Sequence, residues 1–146
     1  MTSQTLSYPP SPQVAVGAVV FKDQRVLLVQ RGKSPARGLW AIPGGSVQLG
    51  ERLQQAAERE ILEEAGIVIK AGEPVFTFDL VERDDQGRVR FHYLIVDLTA
   101  EYVKGELRSG DDALAARWVS ADELKDLPVS PLTRNMLHDL FHFGDL

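Results

Sequence analysis

Cysteine is absent from this chain of 146 residues, which excludes disulfides, thiol nucleophiles and thiolate metal sites together. No apolar run approaches the roughly 20 residues that a membrane-spanning helix needs, so no membrane partner is expected. The first dozen residues, MTSQTLSYPPSP, hold neither the cationic segment nor the apolar segment of a secretory signal. They read as a loose proline-rich arm, residues 1–12, ahead of a single domain over residues 13–146, and cytoplasm is the expected compartment. Positive charge is not in excess either. Lys and Arg number 16 against 21 Asp and Glu, a net charge of −5, which leaves no basic footprint for a nucleic acid polymer. Histidine is scarce, and His92, His138 and His142 stand at no metal-ligand spacing, so they receive no role.

What remains is the composition of a globular domain, 44% apolar and 25% charged, long enough to bury a core. Its most informative stretch runs from Gly45 to Ile67, GSVQLGERLQQAAEREILEEAGI. As a pattern this is G-x5-E-x7-R-E-U-x-E-E-x-G-U, with U aliphatic, and Gly45, Glu51, Arg59, Glu60, Ile61, Glu63, Glu64, Gly66 and Ile67 fill every specified place. At average residue usage the chance is on the order of 10⁻⁹ to 10⁻¹⁰ per starting position. The segment from Arg52 to Ala65 is free of Gly and Pro and rich in helix formers, and Gly66 stands where a helix commonly ends. On that helix Glu60, Glu63 and Glu64 lie at i, i+3 and i+4, so their carboxylates share one side. Leu53, Ala57 and Ile61 form the stripe that faces a core, and Glu60 and Glu64 fall within or beside it. Carboxylates crowded at the margin of a core repel one another and lose hydration unless a cation compensates. Hard oxygen ligands suit Mg²⁺ or Mn²⁺. The plainer alternative is a helix whose glutamates pair with Arg52 and Arg59.

The complete pattern resembles the signature of the Nudix hydrolases, and the likeness extends over roughly residues 13–127, through GLWAIPGG and ARWVSADEL. The resemblance implies an α/β fold, the Nudix α/β/α sandwich with a mixed central sheet. It implies a backbone carbonyl of Gly44 or Gly45 in the metal shell beside Glu60, Glu64 and Glu63, and a structural ion pair between Glu51 and Arg59. Gln48 departs from relatives that carry a glutamate there, at an unspecified place in the pattern. Glu63 is either a ligand through water or the base that activates it. Asp111 and Asp112 precede Trp118 where relatives often place an additional acid, so Asp112 is a catalytic candidate, with a solvated turn as the alternative. The implied reaction is metal-dependent hydrolysis of a nucleoside diphosphate linked to another group. The overall arrangement is most similar to the ADP-ribose pyrophosphatase branch, with a small nucleotide as partner. The proline that marks ADP-ribose enzymes is missing around Glu82 and Arg83, so nucleoside triphosphates, oxidised or ordinary, stay open as substrates. So does a nucleotide-sensing domain without catalysis. Relatives often dimerise, which makes a homodimer an expected arrangement.

The rest of the chain reads as strands with one closing helix. Val14–Phe21 and Arg25–Gln30 form a hairpin across Lys22-Asp23-Gln24, followed by the basic loop RGKSPARG, in which Arg31, Lys33 and Arg37 are candidates for phosphate or ribose. A short strand over Val68–Lys70, a half-buried one over Val75–Arg83, a long one over Arg88–Thr99 and another over Ala115–Val119 follow. Ser120-Ala-Asp-Glu123 is a capping box. Pro131–Phe141 is a helix with Leu132, Met136, Leu137 and Leu140 on its apolar side. Trp40, Phe76 and Phe78 could stack on a base, against core packing as the plainer role.

Overall fold

The structure, a computed structural model, describes residues 7–33, 36–110 and 113–144. Strands β1 (Gln13–Lys22) and β2 (Arg25–Arg31) form the first hairpin. Asp23 and Gln24 have φ of 50° and 63°, the left-handed pair of a two-residue turn joining the Lys22 and Arg25 partners. The turn is one residue shorter than the sequence suggests. Strands β3 (Trp40–Ala41), β4 (Gly44–Ser46), β5 (Val68–Arg83), β6 (Val89–Lys104) and β7 (Ala113–Ser120) complete the sheet. The strand order is β3-β2-β1-β6-β5, with β4 against β1 and β7 against β2. β1 and β6 run parallel and the other pairs antiparallel, so the central sheet is mixed, as expected.

Helix α1 (Leu53–Ala65) covers one face and helix α2 (Pro131–Phe141) the other. The continuous apolar run of β1 follows from this, because both of its faces are buried. Ala18 and Val20 pack with Leu27 against Ile61 and Ala65 of α1. Val19 packs with Val26, Leu28 and Trp40 against Met136 and Leu137 of α2. Burying Ile61 completely contributes roughly 1.5–3 kcal/mol.

Three expectations need correction. The two strands read at Val68–Lys70 and Val75–Arg83 are one, because β5 passes Gly72 and Pro74 through register shifts against β6. The free Ala71 N–H there donates to Glu58 Oε2 at 2.9 Å, which lets an edge strand tolerate the irregularity. On α2, Met136, Leu137 and Thr133 are the buried residues, while Leu132 and Leu140 are 39% and 45% exposed. The arm is tied down at Tyr8: its N–H donates to Arg90 O at 2.7 Å and its hydroxyl to Asp84 Oδ2 at 2.9 Å. The capping box at Ser120 and Glu123 forms reciprocally, although the helix it opens is a single 3-10 turn, Glu123–Asp126.

Candidate active site

Arg59 is the hub of the acidic helix. Its Nε meets Glu51 Oε2 at 2.7 Å and its Nη2 donates to Glu51 Oε1 at 2.9 Å, the two-pronged geometry that a guanidinium and a carboxylate allow. Nη2 also donates to Ser46 O at 2.9 Å, and Gln48 N–H donates to Glu51 Oε1 at 2.9 Å. The loop between β4 and α1 is thereby fastened to the helix at three points. The guanidinium beside Glu51 holds that carboxyl below its ordinary range, with the Gln48 N–H adding to the effect against the opposing cost of burial.

The remaining nitrogen of Arg59 turns to the other glutamates. Nη1 lies 2.6 Å from Glu60 Oε1 and 3.3 Å from Glu63 Oε2. Glu60 is buried completely and Glu64 is 7% exposed, whereas Glu63 is half-buried. Glu64 Oε2 accepts from Gly44 N–H at 3.3 Å, which joins the helix to β4. Gly44 has no space for a side chain, because a Cβ there would collide with Val16 O and lie 2.8 Å from Gly17 Cα of β1. Gly66 closes α1 in the left-handed region, φ 76°, where its N–H donates to Leu62 O at 3.1 Å. Beyond it, Gly110 N–H donates to Glu64 O at 3.1 Å, so the chain returns over the acidic end of α1.

Gly44 and Gly45 also form part of the wall of a cleft of about 470 Å³ on the α2 side of the sheet. Its lining is largely apolar, from Val16, Ile42, Leu80 and Ile95, with the rings of Phe78 and Tyr93 and the side chain of Arg31. Asp97 of β6 lines it too, 4% exposed, and burial pushes its carboxyl up to about 7.

Comparison with known proteins gives the family. The model of the NUDIX domain matches residues 11–140. The chain belongs to the Nudix family. It is 36% identical over 116 residues to an ADP-ribose pyrophosphatase of Methanocaldococcus jannaschii, a match covering 80% of this chain and 66% of that relative. It is 34% identical over 120 residues to a CTP pyrophosphohydrolase of Escherichia coli, covering 80% of this chain and 82% of the relative. The chain therefore spans just under two thirds of the archaeal relative's length. Among solved structures, the NUDIX domain of Shewanella oneidensis NrtR, complexed with ADP ribose, superposes with a TM-score of 0.70 at 25% identity, over 92% of this chain and 89% of that one.

Within this Nudix fold the candidates separate. Glu60, Glu63, Glu64, Gly44 and Gly45 lie together around the acidic helix and β4, and Arg31 and Phe78 line the adjoining cleft. Trp40 is a core residue instead: it is 6% exposed and packed with Val119, Val129 and Met136, because β3 pairs inward with β2. Phe76 packs at the edge of that core, its ring centroid 5.5 Å from that of Phe78. Arg37 and Lys33 are exposed and are not among the lining residues. Asp111 and Asp112 lie outside the described residues. Sequence reasoning missed Tyr93 and Asp97. The one available signal for Asp97 was an acid inside the apolar run from Leu94 to Leu98 of β6.

Proposed function

We propose that this Nudix domain is a divalent-metal-dependent hydrolase that opens the diphosphate of a nucleoside diphosphate linked to a further group, with ADP-ribose as the first substrate. The observation that carries the reading is the Gly44–Gly45 element, which is hydrogen-bonded to Glu64 and at the same time walls the apolar cleft. A nucleotide held in the cleft thus has its phosphates beside the carboxylates. The donor set of Glu60, Glu63, Glu64 and a carbonyl of Gly44 or Gly45 is all hard oxygen, as Mg²⁺ or Mn²⁺ requires. Arg59 balances Glu60 and Glu63 with one positive charge, so a divalent cation would share these carboxylates with it. Among the described residues no three acids converge on one point, so cation binding is coupled to side-chain rotation around Arg59. A bound metal supplies neutralisation of the diphosphate oxygens and polarisation of the attacking water.

The chain's own residues supply the rest. Glu63, the one half-buried acid of the three, takes the proton of the attacking water on its carboxylate, with Asp112 as the alternative base. The water oxygen bonds to phosphorus as the bridging P–O bond breaks, giving AMP and ribose 5-phosphate from ADP-ribose. Arg31 contacts phosphate or ribose oxygen and Phe78 stacks on the base. The resemblance alone adds a homodimer, which light scattering tests.

A second reading, nucleoside triphosphate pyrophosphatase, draws on the fuller coverage of the bacterial CTP-cleaving relative. The test is kcat/KM with Mg²⁺ on ADP-ribose, NADH, a diadenosine polyphosphate, CTP and 8-oxo-dGTP. ADP-ribose leads under the first reading. A triphosphate ahead by about tenfold, some 1.4 kcal/mol, transfers the assignment to the second. No hydrolysis of any of them leaves a nucleotide-sensing domain.

A further inference from the structure

Asp97 sits on β6, whose parallel partner in β1 at that register is Gly17. The pairing is more than backbone. A Cβ at Gly17 would collide with Asp97 Oδ1 and lie 2.9 Å from Ile42 Cδ1, so the glycine leaves the volume into which the carboxyl extends. That carboxyl is nearly enclosed and lines a cleft otherwise made of Val16, Ile42, Phe78, Leu80 and Ile95. Among the described residues no side chain or backbone group hydrogen-bonds to it and no cation pairs with it, and burial is the sole cause of its raised pKa. A carboxyl buried without a partner costs stability. A nearly enclosed carboxyl beside two aromatic rings is shaped for a ligand with a flat apolar body that carries a hydrogen-bond donor.

We propose that Asp97 is the specificity-determining residue of this cleft, accepting a hydrogen bond from the exocyclic amino group of the substrate's nucleobase. This rests on the hydrolase reading for the location of the phosphates, and on nothing more of it. Amino bases, adenine and cytosine, satisfy the buried acceptor. Above pH 7, where the Asp97 carboxyl is ionised and can only accept, keto bases of the same size, hypoxanthine and uracil, present a carbonyl oxygen where the donor is needed, so the comparison is made near pH 8.5. Discrimination follows because an unmet buried polar group penalises the wrong ligand more than a made bond rewards the right one.

Two matched pairs test this: ADP-ribose against its inosine analogue, and CTP against UTP, as kcat/KM with Mg²⁺. In a second arm, Kd values of AMP and IMP are measured by calorimetry in excess chelator, with no turnover needed. The wild-type protein should favour the amino member of each pair by about tenfold or more. Asp97→Leu should collapse that ratio towards one by weakening the amino ligands, while Asp97→Asn, which keeps an acceptor oxygen, should retain most of it. Equal handling of amino and keto bases by the wild-type chain overturns the proposal, as does an unchanged ratio in Asp97→Leu. The binding arm separates the failures. AMP preference dependent on Asp97 without any hydrolysis sinks the hydrolase reading and keeps this one. Brisk hydrolysis with no base preference does the reverse.

Discussion

Single residues differ here in what burial asks of them, and the difference is measurable. Glu64 is buried but has Gly44 N–H as a donor, so Glu64→Gln keeps the acceptor and the volume while removing the charge. Turnover should fall by at least about a hundredfold, the scale of losing a preorganised electrostatic group. Unfolding in excess chelator should stay level or shift upward, since one carboxylate fewer relieves repulsion. A marked destabilisation would make Glu64 a structural partner instead. Asp97 gives a pH signature. Its folded pKa of about 7 stands above the ordinary 3.8, so between those values the unfolded chain sheds a proton that the folded chain retains. Stability should therefore fall as pH rises through that window and level off above it, by at most about 4 kcal/mol. Asp97→Asn lacks the titration, and its advantage over wild type in denaturant melts should grow from acid to neutral pH. An advantage constant with pH would show that Asp97 titrates normally. The two residues also mark the limits of the sequence. Glu64 could be placed beside Glu60 and Glu63 from the sequence because the three lie within about one helical turn, where spacing is geometry. Asp97 was not, because only the parallel β1–β6 register brings it opposite Gly17 and into a cleft.

At the scale of elements, local chemistry was readable wherever a strand or helix is decided by its own residues. The first hairpin, α1 with its Gly66 stop and the Ser120–Glu123 box all follow from short-range pattern. Reading failed where a neighbour decides. Gly72 and Pro74 read as a break, but β6 lies along β5 through them, and Glu58 of α1 satisfies the stray Ala71 N–H. For Trp40 the plainer of the two readings, core packing over base stacking, is the one found, since β2 draws it into the core. The join between β4 and α1 depends on Glu51, which holds both Arg59 and the Gln48 N–H. Glu51→Gln should cost about 1.5–3 kcal/mol, the range for hydrogen bonds to charged groups, with activity falling as the loop loosens. Because the folded carboxyl titrates low, wild type should lose this advantage as pH drops through that lowered value, and the mutant curve should meet it in acid. Wild-type stability in Glu51→Gln at neutral pH would remove the clamp from the account.

For the whole molecule, two helices on a mixed sheet put an acidic seam on one side of β4 and an apolar cleft on the other, with Gly44 and Gly45 as the partition. The proposed metal site would therefore link metal affinity to global stability, because the carboxylates come together only in the folded chain. A ligand that binds the native state alone stabilises it by RT ln(1 + [L]/Kd), about 2.7 kcal/mol at a hundredfold excess over Kd. Mg²⁺ or Mn²⁺ should raise the melting temperature of the wild-type protein in a concentration-dependent way, and chelator should reverse both that rise and turnover. The same titration on Glu64→Gln should give a much smaller shift, since the seam has lost a charge. On Asp97→Asn the shift should match wild type, since the cleft lies across the partition. A metal-induced shift that persists undiminished in Glu64→Gln would mean that the cation binds elsewhere on this acidic chain. Full turnover in excess chelator would remove the metal from the reaction altogether.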